Sequence, residues 1–184
     1  MILYIHGFNS TSGSGKAQEL KKWLEARGRG GEWACPDLPH QPAAAIAELA
    51  RVIESAGEPV KLIGSSLGGF YATVLAARYG LRAVLVNPAV HPQLLLREAL
   101  GPQKNWHTGE TYDFSQSHLN ALAAMDEAAP AQPTNILLLV ETGDEVLDYR
   151  DAVAYYRDCH QVILQGGDHG FTRFVDLLPF IDAF

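Results

Sequence analysis

Paired cysteines, basic clusters and long apolar runs are all missing from this chain. Its 184 residues include only Cys35 and Cys159, whose spacing matches neither a disulfide framework nor a zinc site. Both read as buried thiols of a cytoplasmic protein, with a disulfide between them left open. Basic residues number 14 against 21 acidic ones, a formal charge of −7, and no basic cluster exceeds Lys21-Lys22. Binding along a phosphate backbone needs a positive stripe, so a nucleic-acid partner is not expected. No apolar run approaches the roughly 18–20 residues needed to cross a bilayer. The opening Met1-Ile2-Leu3-Tyr4-Ile5 has neither the basic start nor the apolar stretch of a signal peptide, so no membrane partner is expected either. Internal repeats and low-complexity segments are absent too.

Apolar residues make up 47% of the chain, enough for one domain, 1–184, with a substantial core. Short apolar runs alternate with helical patterns throughout. The candidate strands are Ile2–His6, Glu32–Cys35, Val60–Ile63, Ala83–Val86, Ile136–Glu141 and Gln161–Leu164. The helical stretches fall near Lys16–Ala26, Ala43–Ala56, Gly69–Tyr79, Tyr149–Asp158 and Phe171–Ala183. In Ala43–Ala56, Ile46, Leu49, Ala50 and Ile53 share one face, as an amphipathic helix requires. Leu62-Ile63 and Ile136–Val140 are apolar on successive residues, which suits strands covered on both faces. The expected class is α/β: a compact three-layer sandwich around a mainly parallel sheet of about six strands, with ligands beyond the strands' carboxyl ends. From about residue 91 to 133 no convincing strand is found. That stretch mixes polar and aromatic residues, and it reads as a cap-like helical or loop excursion over the site, too poor in apolar residues for its own core.

The most informative motif is Gly64-Ser65-Ser66-Leu67-Gly68, which lies between the run Val60–Ile63 and the helical stretch after it. Gly-x-Ser-x-Gly at a strand-to-helix turn is the pattern of a nucleophile elbow, and the glycine spacing selects Ser66. A serine hydroxyl needs a neighbouring base. Among seven histidines, His169 in Gly166-Gly167-Asp168-His169-Gly170 falls directly after the last strand. The histidine in turn needs an acid to hold its tautomer. Asp144 ends the preceding strand and is preferred over Glu145 and over Asp148, which suits a helix N-cap. The order Ser–Asp–His, each after a different strand, is that of α/β-hydrolases. The oxyanion donors are expected to be the backbone N–H groups of Leu67 and of Phe8, the latter in a loop that Gly7 allows to come close. His6 reads as a loop-shaping residue. Phe8, Phe70, His91, Trp106 and Tyr112 are the candidate lining of an apolar acyl pocket, although Phe70 and Trp106 could equally be core.

Two other patterns lead nowhere. Ser12-Gly13-Ser14-Gly15-Lys16 looks like a phosphate-binding loop, but Ser10 and Ala17 stand where that motif needs Gly and Ser or Thr. His107 and His118 have no accompanying carboxylate spacing of a metal site. Neither cofactor nor metal is expected.

Several segments together resemble the YqiA/YcfP group of small bacterial esterases: Gly7-Phe8-Asn9-Ser10, Gly64 to Thr73, Val86-Asn87-Pro88-Ala89, Thr142 to Arg150 and Gly166 to Thr172. The resemblance runs nearly the full length and is loose only from Gln93 to Ala131. It implies an α/β-hydrolase fold trimmed at its N-terminus. It also implies hydrolysis of carboxylic esters or thioesters of small or fatty acyl groups, with Ser66, Asp144 and His169 as the triad. An acyltransferase or thioesterase using the same residues, or a non-catalytic binding protein on this fold, remains the alternative reading.

Overall fold

The computed structural model describes residues 1–105 and 107–184. Six parallel strands form the central sheet: β1 (Ile2–Ile5), β2 (Trp33–Ala34), β3 (Lys61–Ser65), β4 (Arg82–Val86), β7 (Ile136–Glu141) and β8 (His160–Leu164). They lie in the order β2-β1-β3-β4-β7-β8. The chain steps from β1 to β2 on one side and then to β3 on the other. This reversal opens a crevice at the carboxyl ends, where open α/β sheets bind ligands.

Successive strand residues face opposite layers, and both layers are apolar. In β1, Leu3 and Ile5 join the core under one set of helices, while Ile2 and Tyr4 join the other. β7 divides likewise, with Ile136, Leu138 and Val140 on one face and Leu137 and Leu139 on the opposite one. Helices α1 (Gly15–Glu25) and α7 (Phe174–Ala183) cover the second face; α2 (Pro42–Ser55), α3 (Leu67–Tyr79) and α6 (Tyr149–Tyr155) cover the first. The unbroken apolar runs of the sequence are what this double covering demands.

The excursion departs from expectation. It contains two short strands, β5 (Gly101–Lys104) and β6 (Thr111–Phe114), paired antiparallel, together with α4 (Pro92–Leu95) and α5 (Gln116–Met125). The hairpin strands are four residues each and largely polar, so no apolar run marks them. Helix α5 starts at a capping box in which Ser115 and His118 satisfy each other's backbone amides, giving His118 a structural role. From the excursion, Phe114, Leu119 and Leu122 are buried in the main core. Helix α7 begins at Phe174, three residues later than its pattern suggested, because Phe171 adopts a positive φ of 61°.

Cys35 and Cys159 are free thiols, each only partly buried, and burial pushes them up to about 12 and about 11. Among the described residues no helix is long and apolar enough to cross a membrane.

Phe114 is buried and meets the ring of Phe8 edge-on at 5.3 Å. If the excursion is anchored through this contact, Phe114→Ala is expected to cost the whole domain about 3–5 kcal/mol. Urea unfolding followed by far-UV circular dichroism measures it; a loss confined to local opening, with the global midpoint unchanged, would contradict this anchoring.

Candidate active site

β3 ends at Ser65 and α3 starts at Leu67, so Ser66 alone makes the turn. Its backbone lies at φ 55° and ψ −123°, a sparsely populated region that surrounding contacts must enforce. Its amide donates to the Val86 carbonyl at 3.1 Å, and its carbonyl accepts the amides of Gly69 at 2.9 Å and Ala89 at 3.0 Å. The motif glycines are required by proximity. A Cβ on Gly64 would collide with the Gly68 carbonyl, one on Gly68 with the Ile5 carbonyl, and one on Gly69 with Pro88. The loop after β1 also closes on the serine, since a Cβ on Gly7 would stand 3.2 Å from Ser66 Cβ and 3.6 Å from Oγ.

His6 shapes that loop. Its Nδ1 lies 3.1 Å from the Gly7 carbonyl and its Nε2 accepts the Leu38 amide at 3.1 Å. A carbonyl only accepts and an amide only donates, so Nδ1 carries the proton and the ring is neutral. Burial lowers its pKa below the ordinary histidine value, against the opposing pull of the Gly7 carbonyl. In a trans peptide C=O and N–H point opposite ways. Tying the Gly7 carbonyl to His6 therefore turns the Phe8 N–H away from it. Among the described residues no hydrogen bond engages the amides of Phe8 and Leu67.

Asp144 and His169 meet from neighbouring strands. His169 Nδ1 lies 2.8 Å from Asp144 Oδ2 and 3.0 Å from Oδ1. The carboxylate accepts, so Nδ1 holds the proton and Nε2 presents a lone pair. The Asp144 side chain is 2% exposed and that of His169 24%. Burial alone would raise the Asp144 pKa, but it is outweighed by the His169 contact and by the Leu147 and Val146 amides, so the carboxyl lies below its ordinary range. The rival acids have other partners. Glu145 Oε2 accepts the His169 amide at 3.0 Å, a contact that its sequence position had not suggested. Asp148 caps α6 through the Arg150 amide at 3.0 Å.

Ser66 and His169 line the same two cavities, of about 570 and 500 Å³. Among the described residues no hydrogen bond joins hydroxyl to ring, a contact that often tightens only with substrate in place. The first cavity is walled by Phe8, Leu67, Leu94, Leu95, Val146 and Leu147. The second mixes aromatic and polar groups, with Ser10, Ser14 and Lys16 on its polar side.

Of the described side chains expected around an acyl group, only Phe8 lines the cavities of Ser66. Phe70 and His91 line a separate space of about 360 Å³ behind α3, where His91 Nδ1 lies 2.6 Å from Asp126 Oδ2. Tyr112 borders a third space, of about 270 Å³, beyond Phe8 and Leu67, and its hydroxyl donates to Asn9 Oδ1 at 2.6 Å. Trp106 lies outside the described residues. The apolar wall formed by Leu94, Leu95, Val146 and Leu147 was missed. Its signal was Leu94-Leu95-Leu96 directly after Pro92-Gln93, with Leu94 51% and Val146 61% exposed.

The comparisons with known proteins agree with this architecture. Residues 1–184 match the family described as "Uncharacterised protein family (UPF0227)". A UPF0227 protein of Vibrio cholerae is 22% identical over 187 aligned residues, covering 100% of this chain and 98% of that protein. Among solved structures, mouse alpha/beta hydrolase domain-containing protein 10 superposes with a TM-score of 0.74 at 15% identity, over 99% of this chain and 88% of its own. Est1E from Butyrivibrio proteoclasticus, with ferulic acid bound, gives a TM-score of 0.72 at 15% identity, over 100% and 86%. The fold is that of the α/β-hydrolases.

The neutral, buried His6 has a consequence for stability. Its folded pKa lies below the unfolded value of about 6.5, so the unfolded chain takes up the proton first. The stability present above that pH is lost as pH falls toward the folded value. His118, lowered mainly by burial, acts in the same direction. Thermal unfolding between about pH 5 and 8 is expected to show a steeper acid-side loss for wild type than for His6→Asn, which keeps His118. Equal slopes would contradict the assignment.

Proposed function

The chain belongs to the UPF0227 family, matched over residues 1–184, and we propose that it is a serine hydrolase cleaving carboxylic esters or thioesters through an acyl-serine intermediate. The observation that carries the reading is the His169–Asp144 pair, at 2.8 Å, opening onto the same cavities as a serine on a strained elbow.

Ser66 Oγ attacks the carbonyl carbon while its proton passes to His169 Nε2. The imidazolium that forms is held through Nδ1–H by Asp144. The displaced electron pair rests on the carbonyl oxygen, where the N–H groups of Leu67 and Phe8 receive it. Collapse of this intermediate breaks the bond to the leaving oxygen or sulfur, which takes the proton from Nε2. Water then attacks the acyl-serine by the same route in reverse, giving up a proton to Nε2, and the acid departs as Ser66 recovers its hydrogen. The apolar wall of Leu94, Leu95 and Leu147 suits the acyl chain. The polar side of the second cavity, with Ser10, Ser14 and Lys16, suits a leaving group with polar substituents.

Ser66→Ala is expected to lower hydrolysis of p-nitrophenyl butyrate by at least about 10³-fold, and a fluorophosphonate should label Ser66 alone by peptide mass spectrometry. Undiminished turnover, or labelling elsewhere, would overturn the proposal. Leu94→Asp puts a charge on the apolar wall and is expected to reduce kcat/KM for an octanoyl ester about tenfold or more relative to an acetyl ester. An equal loss for both would place the acyl chain somewhere else.

A further inference from the structure

One fully buried acid takes no part in that chemistry. Glu141, the last residue of β7, is 0% exposed and lines neither cavity of Ser66. Its Oε2 accepts the amides of Asp168 and Thr172, each at 3.0 Å. Its Oε1 accepts Thr172 Oγ1 at 3.0 Å and Arg173 Nη1 at 3.3 Å. Each of these groups is a donor, so the side chain serves purely as an acceptor. All of them belong to the loop that carries His169.

The same point is tied from the backbone side. The Glu141 amide donates to Asn87 Oδ1 at 3.0 Å, while Asn87 Nδ2 donates to the carbonyls of Asp168 at 3.0 Å and His169 at 3.3 Å. Gly167, at φ +77°, has no room for a side chain, because a Cβ there would run into the Glu141 carboxylate. A Cβ on Gly143, beside Asp144, would collide in turn with the Gly167 carbonyl. Both partners of the Asp144–His169 pair are therefore referenced to one residue: Asp144 follows Glu141 along the chain by three positions, and His169 sits in the loop that Glu141 holds from below.

We propose that Glu141 is a positioning residue, whose buried carboxylate fixes the 168–173 loop so that the His169 ring stays on Asp144 and over Ser66. Stability by itself is a poor account of it. A buried charge is costly unless fully paired, and well-packed apolar side chains often serve stability as well or better. An apolar side chain offers no acceptor for two amides, a hydroxyl and a guanidinium, and so no means of orienting this loop. The inference rests on the reading of Ser66, Asp144 and His169 as the reacting groups.

The test uses the full chain with Glu141→Gln and, as a milder change that removes a single donor, Thr172→Val. Turnover of p-nitrophenyl butyrate is normalised to the fraction of folded sites. The far-downfield proton resonance of His169 Nδ1–H reports the pairing with Asp144 without any need for turnover. Glu141→Gln is expected to lower kcat about 10²-fold with KM little changed, and to weaken or abolish the resonance; Thr172→Val should do both to a smaller degree. A folded Glu141→Gln protein with wild-type kcat and an intact resonance would overturn the proposal. So would a loss of activity that merely follows the folded fraction. Ser66→Ala retaining the resonance while Glu141→Gln loses it supports positioning even where the ester is not the substrate, which separates this test from that of the proposed reaction.

Discussion

At the turn between β3 and α3, a helix start is pressed against the end of β1 so closely that Gly68 lies against the Ile5 carbonyl and Gly64 against Gly68. Much of the site follows from this contact. It forces Ser66 to φ 55°, which turns the hydroxyl away from the sheet and leaves the Leu67 amide at the head of the helix. It also brings Gly7 against Ser66 Cβ. The hydroxyl and the amides of Leu67 and Phe8 are thereby grouped by backbone packing, before any side-chain interaction contributes. Backbone packed at this density has few ways to relax, so in the proposed reaction little reorganisation would be left for the moment when charge develops.

The other half of the site is held by polar groups. Asp144 receives two loop amides as well as the histidine, Glu145 receives the His169 amide, and Asn87 binds the carbonyls on either side of that residue's peptide. The ring is accordingly set by its backbone as much as by its carboxylate partner. His6 plays the corresponding part beneath Phe8, where its neutral ring bridges two loops. Rigid glycine contacts on one side of the crevice face a hydrogen-bonded cradle on the other, and the cavities lined by Ser66 and His169 lie between them.

What could be read in the sequence were the features governed by local rules. The strand runs were legible because both faces of the sheet are covered, so that Ile136–Val140 is apolar at every position. Ser66 was legible because close backbone approach leaves a glycine signature two residues to either side. Asp144 and His169 were placed by chain order after strands. The hairpin β5–β6 was not legible, because short strands outside the main sheet carry no apolar run. That Phe70, His91 and Tyr112 border spaces other than those of Ser66 was not legible for a related reason. Aromatic residues mark buried surface of any kind, and Phe70 and His91 turned out to border a different space. Glu141 looked like an ordinary strand end, since nothing local tells a solvent-facing acid from one enclosed by a loop that begins 27 residues later in the chain.

The hairpin has one further consequence. Gln103 Oε1 accepts from Asn9 Nδ2 at 3.1 Å, Tyr112 donates to Asn9 Oδ1 at 2.6 Å, and Asn105 Nδ2 donates to the Ser10 carbonyl at 3.2 Å. Asn9, at φ 53°, directly follows Phe8. A segment that looks like a detachable cover is therefore laced to the loop bearing Phe8, whose amide is the proposed oxyanion donor. Excising it, or exchanging it for a relative's, would release the loop of Phe8 from its bearing as well as alter the walls around it. On the proposed reaction, tuning of selectivity through the excursion and tuning of chemical power would be mechanically linked.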